Sequence, residues 1–362
     1  MYKPQLKALK RVNRFRKRKI FDDNLIDLAS NDYLGLANSK KQFREAFKLV
    51  SKYGSFAPKA SMLVNGYHPI HKLFEERLAE INGFDKGLIV GSGFLANISL
   101  IESLVRKGDM LFIDEEYHAS GIMASELLGD RVIYFKHNNS QDLEDKLNRY
   151  SAKRSVVAVE GVYSMSGEIC NREIFDVVDR YRAILIVDEA HSSGVIGDTL
   201  LGIFEYYNIK PKENYIKMGT LGKAYGSYGA YILADREIIS FLENRAKPII
   251  YSTAPSIFDT ALALVNIEYI IKTSSKLHNK IAKRLKIIRE MTAIESNSLI
   301  IPISQKSNRD VLDIQQRLID KGFLVGAIRQ PTVKEPILRV IPQVGVSKKS
   351  LRELLRLIND LS

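Results

Sequence analysis

The fold of this chain is best predicted from one stretch, Ile184-Leu185-Ile186-Val187-Asp188-Glu189-Ala190-His191. Its consecutive apolar residues predict a strand that is buried on both faces, as in a parallel sheet covered by helices. Asp188 and His191 follow at the carboxyl end of this strand, and open α/β sheets bind their ligands at that edge. The stretch therefore predicts both a sheet and the edge where its chemistry takes place.

A lysine in a small-residue loop complements this acid. The loop is Gly219-Thr220-Leu221-Gly222-Lys223-Ala224-Tyr225-Gly226. A lysine flanked by glycines can meet a flat ligand at close range, because the backbone there carries no side chains to hold the ligand off. A buried carboxylate can keep a heterocyclic nitrogen protonated. Together, Lys223 and Asp188 predict the Schiff-base lysine and the pyridinium partner of pyridoxal 5'-phosphate (PLP).

Composition places the chain among ordinary globular proteins. It has 362 residues, 45% of them hydrophobic and 27% charged, which suggests about two domains. The single cysteine, Cys170, excludes an internal disulfide framework and favours a reducing compartment. The longest apolar stretch, Thr260 to Ile271, contains Asn266 and Glu268 and falls short of the ~18 apolar residues of a membrane span. We therefore expect a cytoplasmic protein that does not enter a membrane.

The net charge of +12 is concentrated at the amino terminus. Residues 1–19 contain nine lysines and arginines and no acid, so the rest of the chain carries 12 − 9 = +3. Nucleic-acid binding would require a basic face on the folded body or a recognition motif, and the sequence has neither. We expect this arm to form an exposed amphipathic helix, with substrate contact by one of its arginines as the alternative.

The order of predicted elements indicates an α/β fold. From about residue 86, apolar runs alternate with helical stretches, which predicts a mostly parallel sheet with helices on both faces. The predicted strands are Gly87–Val90, Met110–Ile113, Val156–Val159, Ile184–Val187, Tyr215–Met218 and Tyr231–Leu233.

The pattern changes after Pro248. A long helical stretch, Ser256–Met291, precedes short strands at Leu299–Ile303 and Leu338–Ile341 and a helix at Ser350–Leu361. This order predicts a smaller C-terminal α+β domain. We expect three parts: an N-terminal segment at 1–40, a large cofactor-binding domain at 41–247 and a small domain at 248–362.

A competing interpretation of the acidic stretch is a DEAH-box ATPase, because Val187–His191 is also a Walker B string. Such an enzyme needs an upstream G-x-x-x-x-G-K-[ST] loop to hold the phosphates. The chain has no such loop, and Gly219–Ala224 has the wrong spacing and follows the acid. The sequence therefore argues against an ATPase.

Three more predicted strands end in polar or glycine-rich segments. Gly91–Asn97 joins a strand to a helix, whose start suits a phosphate dianion, and the Thr220 hydroxyl could contact the same phosphate. His118 and Ser164 follow two further strands. Glycines before a helix are common and a lone histidine is more often structural, but all these strand ends and the lysine loop converge on one edge.

A series of motifs across nearly the whole chain resembles the α-oxoamine synthase family of fold-type I PLP-dependent transferases. The motifs occur in the family's order and are Ser30–Leu36, Ser92–Asn97, His118–Ser120, Glu160–Met165, Val187–His191, Thr220–Lys223 and Ile250–Thr253.

The resemblance implies a role for each site residue. Lys223 carries the cofactor and moves the substrate Cα proton, while Asp188 pairs with the pyridine nitrogen. His191 reaches the ring oxygen with Ser164 nearby. His118 stacks on the ring, and the resemblance implies that it is also a catalytic residue, with Lys223, and a substrate-binding residue.

Other residues match the family's phosphate contacts. Gly93, Phe94 and Thr220 match positions at the cofactor and its phosphate. Thr253 matches a phosphate contact that relatives donate across a dimer interface, which implies a homodimer.

The resemblance also implies a set of substrate contacts and no metal ion. Arg339 matches the arginine that binds the amino-acid carboxylate, a bidentate task that suits arginine better than lysine. Thr332 matches a substrate-contacting threonine. Arg16 matches an N-terminal arginine near the acyl substrate, with Arg14 as the alternative.

The implied reaction condenses L-alanine with a pimeloyl thioester of coenzyme A (CoA) or acyl carrier protein, because Val325–Val333 resembles the biotin-pathway members of the family. One alternative uses glycine or serine with another acyl-CoA, as 2-amino-3-ketobutyrate CoA ligase does. Another is a catalytically silent PLP-fold subunit, which the intact Lys223, Asp188 and His191 argue against.

One segment departs from the family pattern. Where many relatives have a stretch rich in glycine and serine, this chain has the bulkier Phe56, Pro58, Lys59 and Met62. This stretch lies near the active site in relatives, so the departure bears on the choice of acyl donor.

Overall fold

The computed structural model of the protein describes residues 1–361. Its strands are β1 (Ile26–Leu28), β2 (Lys86–Val90), β3 (Met110–Asp114), β4 (Val132–Phe135), β5 (Ser155–Glu160), β6 (Ile184–Asp188), β7 (Tyr215–Thr220), β8 (Ala230–Ala234), β9 (Ile301–Ser304), β10 (Phe323–Ile328) and β11 (Ile337–Val340). Its helices are α1 (Lys3–Arg11), α2 (Lys40–Val50), α3 (Pro69–Asn82), α4 (Gly93–Leu104), α5 (Ala119–Ser125), α6 (Ser140–Arg149), α7 (Glu173–Arg180), α8 (Ile203–Tyr206), α9 (Arg236–Arg245), α10 (Lys247–Ile250), α11 (Ile257–Thr292), α12 (Asn308–Asp320) and α13 (Lys348–Leu361).

The chain forms two compact units. The large unit consists of Leu36–Ser164 and Glu168–His278. The small unit consists of Met1–Gly35, Met165–Gly167 and the chain from Asn279 onward. The division at 1–40, 41–247 and 248–362 expected from the sequence stays a prediction.

The large unit is built on a seven-stranded sheet in the order β2-β8-β7-β6-β5-β3-β4. The five strands from β7 to β4 are parallel to their neighbours. β8 is antiparallel to both β7 and β2, so β2 runs in the same direction as β7. This confirms the predicted α/β fold with a mostly parallel sheet.

The central strands are buried on both faces. In β6, Leu185, Ile186 and Val187 are all inaccessible to solvent, although successive side chains point to opposite faces of a sheet. Helices must therefore cover both faces, which is why the sequence shows a continuous apolar run rather than alternation.

All six predicted strands of the large unit are present, but the sequence prediction missed β4. This strand forms the edge of the sheet and pairs only with β3. Its Tyr134 is exposed and only Phe135 is fully buried. A short edge strand that is mostly open on one side lacks the apolar run that identified the central strands.

The small unit has a four-stranded sheet in the order β1-β10-β11-β9. β1 lies parallel to β10, with Ile26 opposite Phe323, whereas β10, β11 and β9 pair antiparallel. Its core joins residues from β1, the end of α11 and α13, such as Leu28, Ile288 and Leu354. The predicted α+β architecture is present, with one strand contributed by the N-terminal segment.

The basic arm contains the predicted helix, and every residue of α1 is exposed. The chain after α1 is attached to the small unit by hydrogen bonds. Arg329 Nη1 donates to the carbonyl oxygen of Asn13 at 2.6 Å, and Arg16 Nη2 donates to Thr332 Oγ1 at 2.9 Å. Within residues 1–361, no helix combines the length and the apolar character needed to cross a membrane.

Candidate active site

The predicted site residues follow the carboxyl ends of parallel strands in the large unit. Asp188 and Thr220 are the last residues of β6 and β7. Because β2, β3, β5, β6 and β7 run in one direction, their carboxyl ends lie at one edge of the sheet. The residues that follow these ends are Gly93 and Phe94 after β2, His118 after β3, Ser164 after β5, His191 after β6 and Lys223 after β7.

Lys223 lies on a tight turn directly after β7. Its Nζ is 2.7 Å from Nε2 of His191, and the Lys223 carbonyl oxygen accepts from the amide of Gly226 at 2.9 Å. Gly226 has a φ of +55°, and a Cβ at this position would overlap the backbone of Leu36 and Ala37. The turn therefore requires glycine, and it presents the lysine amine beside the imidazole.

The carboxylate of Asp188 is held at both oxygens. Oδ1 accepts from the amide of Ala190 at 3.0 Å, and Oδ2 accepts from Nδ2 of Asn97 at 3.0 Å. Only 4% of Asp188 is exposed. A buried carboxylate with two fixed donors has one orientation, so it can face a cationic ring nitrogen without rearrangement.

His118 is the residue before α5, and it caps that helix. Its Nδ1 accepts from the amide of Ser120 at 3.2 Å and lies 2.7 Å from Ser120 Oγ. Burial lowers the pKa of His118, an effect that Asp188 opposes and Lys223 reinforces. The ring is therefore neutral near pH 7, and because Nδ1 accepts a backbone proton, its own proton is on Nε2.

The start of α4 and the end of β7 lie side by side. A Cβ built on Gly93 would be 3.9 Å from the Cβ of Thr220. Ser92 caps α4 by accepting from the amide of Leu95 at 3.3 Å. The first amides of a helix have no partner within the helix, and its dipole favours an anion there. This corner of the site suits a phosphate group.

Two predicted cofactor residues lie at the surface of the large unit. Phe94 has an exposed side chain, so its backbone amide at the start of α4 is the group available for an anion. Thr253 is exposed in the segment that follows α10. This segment is joined to the chain near Phe56, since the amide of Ala254 donates to the carbonyl oxygen of Ala60 at 3.0 Å.

The chemistry of these groups fits PLP. A fixed carboxylate suits the pyridine nitrogen, an amine suits the aldehyde, and an imidazole suits the ring oxygen. A helix start with a neighbouring hydroxyl suits the phosphate. All of these groups lie in the large unit along one sheet edge.

Three of the four predicted substrate residues, Arg16, Thr332 and Arg339, lie in the small unit, whereas His118 lies in the large unit. Arg339, on β11, is 5% exposed and donates from Nη1 to Asn31 Oδ1 at 2.8 Å. Arg16 and Thr332 are joined by the 2.9 Å hydrogen bond described above. That bond makes Arg16, rather than Arg14, the arginine that is associated with a predicted substrate residue.

Sequence reasoning gave no role to several polar residues that the structure places beside predicted ones. They are Asn31, Asn97, Tyr117, Ser120 and Glu160. Four of them lie within the motifs that carry the family resemblance, and Tyr117 immediately precedes one of those motifs. Their positions in or beside the motifs were the only sign in the sequence that these residues belong to the site. The folded structure is needed to show which side chain each of them contacts.

Glu160 is a second buried carboxyl group beside Asp188. The two residues are register partners on β5 and β6, and Glu160 Oε2 accepts from the amide of Ser164 at 3.1 Å. Burial raises the pKa of Glu160 well above its usual range, and the negative charge of Asp188 raises it further. Glu160 therefore releases its proton less readily than an exposed carboxyl group does.

An ionic cluster holds the loop that carries Ser164. His137 lies 3.0 Å from Asp114 Oδ1 and 2.7 Å from Glu168 Oε2. Tyr163 donates to Asp114 Oδ2 at 2.7 Å. Burial disfavours the charged imidazole, but the hydrogen bond to Asp114 and the neighbouring carboxylates outweigh it and raise the pKa of His137 to about 9. The cluster ties the residue before Ser164 to the end of β3.

Comparisons with known proteins identify the family of this chain. The family described as Aminotransferase class I and II matches residues 23–358. The chain belongs to this family, and its resemblance to the α-oxoamine synthases is confirmed. The 8-amino-7-oxononanoate synthase of Helicobacter pylori strain J99 is 45% identical over 364 residues, which cover 100% of this chain and 98% of the relative.

Solved structures give the same fold. The 8-amino-7-oxononanoate synthase of Francisella tularensis has a TM-score of 0.79 and 25% identity, covering 94% of this chain and 98% of that one. A serine palmitoyltransferase of Sphingomonas wittichii has a TM-score of 0.86 and 24% identity, covering 93% and 87%. The second match, at 24% identity, concerns the fold alone.

The His137 cluster makes stability depend on pH. A histidine whose pKa is about 9 when folded and about 6.5 when unfolded contributes stability below pH ~6.5 and loses it as the pH rises through 9. We expect His137→Gln to lower the unfolding midpoint most at pH ~6, with the difference from wild type shrinking as the pH rises to ~9. Thermal unfolding across this range measures the effect.

The matched control is His278→Gln, which removes an exposed histidine from α11. Its difference from wild type should be small and constant over the same pH range. A His137→Gln difference that does not change with pH would contradict the ionic role of the cluster.

Proposed function

We propose that this protein catalyses the condensation of L-alanine with a pimeloyl thioester in biotin biosynthesis. The products are 8-amino-7-oxononanoate, CO2 and the free thiol. The observation that carries the proposal is the 45% identity with the Helicobacter pylori 8-amino-7-oxononanoate synthase over the full length of both chains. The chain retains Lys223, Asp188 and His191, so we propose an active enzyme rather than a silent binding subunit.

The cofactor is PLP, which supplies an electron sink for the negative charge that develops at the substrate Cα. We propose that Lys223 binds the cofactor covalently and moves the Cα proton. His191, 2.7 Å from the lysine amine, is placed to orient it. Asp188 is assigned to the pyridine nitrogen, His118 to the face of the ring and Ser164 to its edge.

The phosphate is assigned to the start of α4 and the end of β7. Gly93 and Phe94 would donate backbone amides, since α4 and β7 are adjacent here. The Thr220 hydroxyl, which donates to the carbonyl oxygen of Gly229 at 3.0 Å, would redirect its proton to the phosphate. Thr253 would contribute the same kind of contact from the partner subunit. This assignment requires a homodimer.

A surface of the large unit supports that dimer. Phe56, Leu63, Val64, Tyr67 and Tyr251 are exposed apolar side chains on two segments that hydrogen-bond to one another. Each such side chain gains roughly 1.5–3 kcal/mol on full burial, so a patch of them favours association. Because Thr253 lies two residues after Tyr251, we propose that a second copy of the chain covers this surface.

The substrate contacts are assigned to the small unit. Arg339 would bind the alanine carboxylate, since its guanidinium is buried and aligned by Asn31. Thr332 and Arg16 would face the acyl substrate as a hydrogen-bonded pair. The proposal leaves the carrier open between CoA and acyl carrier protein, and it places the enzyme in the cytoplasm.

A product panel tests the function. We expect alanine to be preferred over glycine and serine when each is supplied with pimeloyl, acetyl and palmitoyl thioesters. One methyl group is worth only about 1–3 kcal/mol in a binding pocket, so glycine should react slowly rather than not at all. Mass spectrometry identifies the ketone products. Consistent preference for glycine or serine would assign the chain to another α-oxoamine synthase reaction.

The lysine assignment is tested by covalent labelling. Borohydride reduction of the yellow protein should fix the cofactor on the peptide that contains Lys223, as determined by peptide mapping. Lys223→Ala should fold normally, because the residue lies in a loop, and should lose both label and activity. Lys212→Ala, which removes an exposed lysine, is the control and should retain both. A label on any other lysine would overturn the assignment.

The shared site is tested by subunit complementation. Lys223→Ala and Thr253→Ala chains are co-expressed with different affinity tags, and the mixed dimer is purified. If Thr253 acts in the partner's site, one site of this dimer combines the intact Lys223 and Thr253, so activity should exceed that of either parent. A mixed dimer no more active than its parents would place Thr253 in its own chain's site or outside both.

A further inference from the structure

A buried amide lies behind both cofactor-facing groups of the large unit. Asn97, on α4, is 1% exposed. Its Nδ2 donates to Asp188 Oδ2 at 3.0 Å and to Ser120 Oγ at 2.9 Å. Its Oδ1 accepts from the hydroxyl of Tyr117 at 2.7 Å. Both amide protons are therefore used, one toward the acid and one toward the serine that contacts His118.

The acceptor oxygen of Asp188 determines which way the amide faces, and Tyr117 donates to the amide oxygen in that orientation. A phenol donates one proton, and the Tyr117 hydroxyl directs it to the Asn97 oxygen. With the oxygen turned toward Tyr117, the NH2 group must face Asp188 and Ser120. A flipped amide would place an oxygen against the Asp188 carboxylate and lose both donor contacts, so the tyrosine and the acid favour the same orientation.

The same hydrogen bonds fix the state of His118. Ser120 Oγ accepts from Asn97, so its own proton is available to donate to His118 Nδ1, 2.7 Å away. The amide of Ser120 also donates to that nitrogen, at 3.2 Å. With two donors aimed at Nδ1, the neutral imidazole keeps its proton on Nε2.

We propose that Tyr117 and Asn97 are positioning residues that align Asp188 and His118 toward the cofactor through one shared amide. Asn97 donates to Asp188 and to Ser120, and Tyr117 stabilises the amide in this orientation by donating to its oxygen. The inference rests on the proposed PLP site, but it concerns residues to which that proposal gives no role. Neither residue is assigned a contact with the cofactor or the substrate.

The arrangement explains why an amide is needed at this position. A carboxylate of the same shape at position 97 would put a second negative charge within hydrogen-bonding distance of Asp188. Two carboxylates this close repel each other strongly, so one of them would take up a proton. Asn97→Asp should therefore weaken the charge that Asp188 offers to the pyridine nitrogen.

The test measures cofactor binding as well as turnover. PLP release from the purified holoenzyme is followed by dialysis, and the absorbance of bound PLP is recorded as a function of pH. A hydrogen bond to a charged group is worth about 10- to 100-fold in an equilibrium constant, so Asn97→Asp should weaken PLP binding by about that factor. It should also shift the pH at which the absorbance changes, and lower kcat more than it raises KM for alanine.

Tyr117→Phe provides a milder variant that preserves the fold. The Tyr117 ring packs directly against Gly121, and phenylalanine keeps that packing while removing only the hydroxyl. We expect PLP binding to weaken by about 10-fold or less, in proportion to one neutral hydrogen bond, with an absorbance shift in the same direction. This variant decides the question if Asn97→Asp does not fold.

Tyr215→Phe is the matched control, because it removes the hydroxyl of another buried tyrosine, one on β7 that donates to Asp179 on α7 at 2.7 Å. It should change the unfolding midpoint but neither PLP binding nor the absorbance profile. If Asn97→Asp and Tyr117→Phe behave like this control, their role is merely structural and the inference is wrong. If wild-type protein does not bind PLP, the proposed function fails instead.

Discussion

The site depends on the parallel pairing of β5, β6 and β7. Glu160 pairs with Asp188 and Asp188 with Met218, so each strand delivers its last residues to the same edge. A one-residue shift in any of these pairings would turn the polar residue to the opposite face. The position of Asp188 is therefore set by the register of three buried strands and does not depend on a contact with Lys223.

Gathering these residues has an electrostatic consequence. Two carboxyl groups, Glu160 and Asp188, lie next to each other in a buried region, and burial, followed by the negative charge of Asp188, raises the pKa of Glu160. Asp188 is the carboxylate that receives a side-chain donor, from Asn97. The two neighbouring acids thus have different environments, as is common in active sites.

The sequence predicts the sheet and its functional edge well, because continuous apolar runs such as Ile184–Val187 report burial on both faces. It predicts poorly what depends on distant pairing. β1 is three residues long with Asp27 at its centre, so it has no periodic signal, and its partner β10 lies almost the whole chain away. Asn97 likewise lies in a motif, but the sequence does not show that it contacts both Asp188 and Ser120. Those contacts form only when α4 packs beside the residues that follow two of the strands.

The residue after Asp188 has a separate function in the fold. Glu189 forms a buried ion pair with Lys217 on β7 at 3.3 Å and accepts from the amide of Ile203 at 2.8 Å. A buried ion pair adds little net stability compared with apolar residues of similar size, so its main effect is geometric. It joins the end of β6 to the middle of β7, the strand that leads to Lys223. Consecutive acids thus have different tasks: Asp188 is the residue proposed to pair with the cofactor, and Glu189 holds together the two strands that bring Asp188 and Lys223 to the same edge.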